Sequence, residues 1–164
     1  MGGWRSSGVA VGTDGMSPPQ RRRRCTGEEA RTRCRQAVAY LETAKIVTSD
    51  GSLPADYDYN HVAAGVAVLA AIAASDAMCC RLLGERSRGQ DHRGAVDLLT
   101  TVRFGAGTPA VRAKRARDLA AALATILDFK DEAHYGTTLL GPVQVRRLIR
   151  GADKLVSAAL AAVR

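Results

Sequence analysis

Arg86 and His92 stand with five residues between them in the stretch RSRGQDH, residues 86–92. An imidazole that titrates near neutrality can take a proton from a ribose 2′-hydroxyl or give one to a leaving 5′-oxygen, and a guanidinium can brace the charge that develops on the phosphorus centre. The two groups together are sufficient for RNA cleavage without a metal ion. Neither His61 nor His134 has comparable company. The spacing alone is a weak signal: with Arg at 20 of 164 positions, a loose Arg-to-His spacing arises by chance for roughly one histidine in three. The plain alternative is a cation at a helix C-terminus followed by a solvated His in the next first turn.

The stretch that delivers this turn is the longest apolar run in the chain. Between Ala63 and Leu83 it is dominated by Ala, Val, Leu and Gly, with Ser75 and Asp76 as the interruptions. A helix apolar on nearly all sides is either buried in protein or in a bilayer. The small residues and the internal carboxylate favour a buried core helix, because an Asp at mid-membrane depth costs about 2.5 to 3.5 kcal/mol. No membrane association is expected. Asp76 itself needs a partner, and a Tyr or Lys from a later helix, Tyr135 or Lys130, is expected to supply it, either as a structural contact or in support of the turn.

The remaining elements follow from capping signals and helical spacing. Thr26 and Glu29 form a capping-box pattern ahead of Ala30, Cys34, Ala37, Val38, Leu41 and Ala44, which predicts an amphipathic helix to about Val47 with Arg31, Arg33 and Arg35 on its outer side. Asp58 or Asn60 caps the central helix, which should run to Leu83. A shorter helix is expected from about His92 to Arg103, and a fourth from Pro109 to about Tyr135 behind a Thr cap. A fifth follows the turn GTTLLGP, with Val145, Leu148, Ala152, Leu155, Ala159 and Val163 on one face. No strand alternation and no Gly-rich phosphate loop is present. The fold class expected is therefore all-α, an up-down bundle of four to five helices covering residues 26–164.

Residues 1–25 carry Gly, Ser, Pro and the run RRRR, with no helical or strand period, and are expected to be a disordered Arg-rich tail. Met16 offers an alternative translation start. The net charge is +8, half of it in that tail, so a phosphate-bearing partner is permitted and not demanded. Hydrophobic residues make up 46% and aromatics only 4%, which favours close-packed helices over a β-sandwich. Cys25, Cys34, Cys79 and Cys80 show neither metal-ligand spacing nor a disulfide framework; buried free thiols are expected at Cys79 and Cys80. With no signal peptide at the N-terminus, these thiols point to the cytoplasm.

The run AGVAVLAAIAASDAMCCRLLGERSRGQDHRGAVDLL, followed by LATILDFKDEAHYG and a last amphipathic helix, resembles the HEPN superfamily of small α-helical bundles. The likeness spans about residues 28–163 and is most specific in IAASDA leading into RSRGQDH, and in Lys130, Ala133 and Tyr135. Many members are RNases built on an Arg, four to six residues, then His, and many are toxins paired with a nucleotidyltransferase antitoxin. Others are inactive binding proteins. The resemblance implies a metal-independent endoribonuclease without cofactor, acting on RNA as a homodimer in which two Arg/His pairs share a cleft. Arg86 and His92 fall on the motif. Ser87, Arg88, Gln90 and Asp91 would bind substrate or support the pair, together with Asp76, Lys130 and Tyr135. Ser87 stands where Asn or Asp is common. Gly94 stands where members silenced by adenylylation carry a Tyr, so that route of control is not expected.

Overall fold

The structure is a computed structural model that describes residues 22–54, 56–88, 92–130, 133 and 136–164. Five long helices lie among them. The first, α1, is Gly27–Ser49, and it opens as the capping box expects: Thr26 Oγ1 accepts from the Glu29 N–H at 3.1 Å while Glu29 Oε2 accepts from the Thr26 N–H at 2.8 Å. These two bonds satisfy donors that the first turn otherwise leaves without partners. The second, α2, is Tyr59–Leu83, 25 residues capped by Asp58. It stops at Gly84, whose φ of 69° is left-handed backbone that glycine adopts without penalty.

Helix α2 is the centre of the bundle. Ala63, Ala64, Ala67, Val68, Ala70, Ala71, Ala74, Ala77 and Met78 are fully buried, between α1 on one side and the last helix on another. Alanine contributes little apolar area per residue, so cohesion comes from backbones that approach closely and from the dispersion contacts this permits. Among the described residues α2 is the one helix long and apolar enough to cross a membrane, and 78% of its most apolar window is buried inside the bundle. Protein covers the surface that a bilayer would otherwise have to cover.

Helices α3 (His92–Thr100), α4 (Pro109–Leu127) and α5 (Pro142–Val163) complete the body. Thr108 caps α4 with Pro109 in its first turn, and Val145, Leu148, Ala152, Leu155 and Ala159 of α5 are buried as their spacing predicts. Arg115 donates to the Phe104 carbonyl at 2.8 Å and lies over the Phe104 ring, which secures the turn between α3 and α4. Gly151 lets α5 pass close to α4: a Cβ there would sit 3.0 Å from Ile126 Cδ1.

The body is all-α, with one addition that the sequence reading lacks. Arg22–Arg24 (β1) pairs antiparallel with Glu85–Ser87 (β2), setting Arg22 against Ser87, Arg23 against Arg86 and Arg24 against Glu85. Arg22 Nη1 reaches Glu85 Oε1 at 2.8 Å, and the Cys25 N–H donates to the Gly84 carbonyl at 2.9 Å. Three-residue strands lack the alternation that betrays a longer one, and four arginines in a row read as a solvated tail. The tail boundary placed at residue 25 therefore moves, because residues 22–25 are part of the folded body; residues 1–21 lie outside the described residues.

A disulfide joins Cys25 to Cys80. This corrects the expectation of a free thiol at Cys80, whereas Cys79 and Cys34 are buried and free. The partner was hidden because Cys25 lay in a segment read as unstructured. The crosslink spans 55 residues, so reducing it should lower stability by roughly 2 to 4 kcal/mol through the entropy returned to the unfolded chain. Urea unfolding with and without reductant measures this, and a Cys25→Ser/Cys80→Ser variant should match the reduced protein and lose its response to reductant.

Candidate functional site

Asp76 organises the polar end of α2. Its side chain is 8% exposed, and three guanidinium nitrogens converge on its Oδ2: Arg33 Nη2 at 2.6 Å, Arg33 Nε at 3.1 Å and Arg86 Nη1 at 3.3 Å. Arg33 comes from α1, where its other nitrogen Nη1 is held by Gln36 Oε1 at 2.8 Å. Arg86 comes from the middle of β2, held by the ladder to Arg23. Burial raises the Asp76 carboxyl above the usual carboxylate range, opposed by the charges of Arg33, Arg86 and His92.

Among the described residues the partners of Asp76 are Arg33 and Arg86 and not the expected Lys130, while Tyr135, the other expected partner, lies outside them. Arg33 was assigned to the outer side of the first helix, yet it stands three residues after Ala30 and four before Ala37, both fully buried. That places it on the flank of the buried stripe, where a long side chain can reach inward while its stem stays at the edge. This was the available signal. The fourth helix also ends earlier than expected, at Leu127, with a turn at Asp128 and Phe129 and helical backbone again at Lys130 and Ala133. Lys130 is half-buried there.

His92 is the first residue of α3 and is half-buried. It is close enough to Asp76 for its charge to act on that carboxylate, and it lines a cavity of about 400 Å³ together with residues of α3 and α4. Arg86 thus contacts the buried anion directly, and His92 lies within electrostatic range of it. Arg86 keeps 24% of its side chain exposed. Ser87 is half-buried on β2 and Arg88 is exposed just beyond it. Gln90, Asp91 and Tyr135 lie outside the described residues.

The thiols offer no competing chemistry. Burial pushes the Cys79 thiol up to about 12, with the Asp76 charge adding to the effect, and burial likewise raises Cys34. Thiols so placed stay protonated and unreactive at neutral pH. His61 is bound through Nδ1 to Asp58 Oδ2 in the first turn of α2, a capping arrangement. Among the described residues no group of three or more His, Cys, Asp or Glu side chains is placed to hold a metal ion.

The arrangement is a half-buried guanidinium bound to a buried carboxylate, with a half-buried imidazole within electrostatic range, in an all-α bundle with a short ribbon. No protein-family model matches the chain, and no curated protein matches it in sequence.

Removing Arg33 would leave Asp76, among the described residues, with its longer contact to Arg86. Arg33→Ala should therefore cost on the order of 3 kcal/mol at neutral pH. The pH dependence has a definite sign. A carboxyl whose pKa is raised on folding favours the folded state at low pH, and that contribution is lost as pH rises through the folded value. The penalty of Arg33→Ala should accordingly shrink as pH falls into the acid range, which denaturation midpoints of variant and wild type across pH will show.

Proposed function

We propose that this chain is a metal-independent endoribonuclease of the HEPN type, with His92 as the general acid/base and Arg86 as the group that stabilises charge on the phosphate. The observation that supports this reading is Arg86 bound to the buried Asp76, with His92 within electrostatic range of that carboxylate and lining a cavity of its own. In the reaction the ribose 2′-oxygen gives up its proton to an imidazole and bonds to phosphorus. The bond from phosphorus to the 5′-oxygen breaks, and that oxygen takes a proton from an imidazolium. The products are a 2′,3′-cyclic phosphate and a 5′-hydroxyl.

The HEPN resemblance adds further proposals: a homodimer in which two such pairs face one cleft, so that one His accepts as the other donates, and a nucleotidyltransferase as the partner of a toxin. A cytoplasmic location, where the RNA substrate would be met, is a further proposal. The Cys25–Cys80 disulfide weighs against that compartment, where thiols are kept reduced.

One observation favours a second reading, a non-catalytic helical module that binds a nucleotide, an RNA or a protein. Arg86 already has an anion, Asp76, at 3.3 Å, and a guanidinium neutralised within the protein has less charge to offer a phosphate.

Incubation of the protein with RNA in EDTA, beside His92→Ala and Arg86→Ala, separates the two. The nuclease reading expects cleavage by wild type, retained in chelator, and a fall on the order of 100-fold or more in each variant. Equal cleavage by all three proteins, or none by wild type, removes it.

A further inference from the structure

The cavity beside His92 contains chemistry that the proton transfers do not use. Its walls are aliphatic, formed by Val96 of α3 and by Ala124 and Leu127 of α4. Val96 follows His92 by four residues on the same helix, which sets the apolar wall next to the imidazole. Two carboxylates, Asp97 of α3 and Asp128 beyond α4, and the guanidinium of Arg93 complete the lining. Ionised carboxylates only accept hydrogen bonds. Arg93 only donates, so a cavity of about 400 Å³ with these properties suits a flat group that carries N–H donors beside a carbonyl acceptor on its edge.

A nucleobase is such a group, and it would arrive here if its ribose phosphate lay against His92. Single-stranded RNA is read in this way, with unstacked bases covered on their faces and hydrogen-bonded along the Watson–Crick edge. The four bases differ in what they show a carboxylate. Guanine presents two neighbouring donors, N1–H and the 2-amino group, which match the two oxygens of one carboxylate. Adenine and cytosine each present one amino donor beside a ring nitrogen acceptor that a carboxylate repels. Uracil presents one N–H between two carbonyl oxygens. Asp128 is the better placed of the two acids, because it follows the last turn of α4, where its N–H is fixed to the Ala124 carbonyl at 3.0 Å and its side chain is exposed at the rim.

Resting on the ribonuclease reading, we propose that this cavity is a guanine-selective base subsite, with Asp128 accepting from the Watson–Crick edge and Val96 and Leu127 covering the ring. The test uses the intact protein titrated by calorimetry with the 3′-monophosphates of guanosine, adenosine, cytidine and uridine, alongside mapping of cleavage sites in an RNA of mixed sequence. The guanosine nucleotide should bind more tightly than the other three by about tenfold or more, and cleavage should follow guanosine. Asp128→Asn, which replaces one acceptor oxygen by a donor, should abolish the preference, whereas His92→Ala should weaken all four nucleotides alike. Guanine-selective binding without any cleavage keeps the subsite and removes the nuclease. Equal affinity for the four nucleotides, or a preference that survives Asp128→Asn, overturns the subsite whether or not RNA is cut.

Discussion

A single buried carboxylate imposes order on this molecule. An ionised Asp buried within an alanine-rich helix is costly unless cations and hydrogen bonds reach it. Here they come from two elements far apart in the chain: Arg33 from α1 and Arg86 from β2. Each cation has α2 as its common neighbour, and the two guanidiniums tolerate each other because they share one oxygen. The carboxylate can be satisfied only when α1 is in register against α2 and the segment after Gly84 has turned back as a strand. An ion pair of this kind adds little net stability and a good deal of discrimination between correct and shifted packings.

The bundle was legible because helices announce their ends and faces locally. The capping box at Thr26 and Glu29, the Asp58 cap, and the Thr108 and Pro109 pair are short-range chemistry, and the observed helices begin where they predict. The candidate residues on α2, β2 and α3 were legible as types and spacing. What escaped is non-local. The partners of Asp76 depend on which helix lies beside which, and that is decided by packing. The ribbon depends on Arg22–Arg24 meeting a strand more than sixty positions later, a pairing no local pattern encodes. Cys25 and Cys80 were misjudged for the same reason: one half of the bond sat in a segment whose composition alone suggested no structure.

The electrostatics of the polar end also separate two roles that sequence treats alike. Arg22, Arg23 and Arg86 are all strand arginines near the same ribbon. Arg22 and Arg23 hold the part-exposed carboxylates of Glu85 and Glu29, in pairs that solvent screens. Arg86 holds the buried one. A guanidinium tethered to a desolvated anion is rigid and partly neutralised, whereas Arg22 and Arg23 keep their charge within reach of water.

The bond between Cys25 and Cys80 also changes the chain's topology. It closes residues 25–80 into a covalent ring that contains all of α1 and most of α2, with α3, α4 and α5 attached outside as a linear arm. A backbone cut in the exposed connection between α1 and α2 would open the ring without dividing the molecule. The two pieces would still travel as one species on a non-reducing gel, and the helices that flank Asp76 would remain tethered to each other after the chain between them was severed.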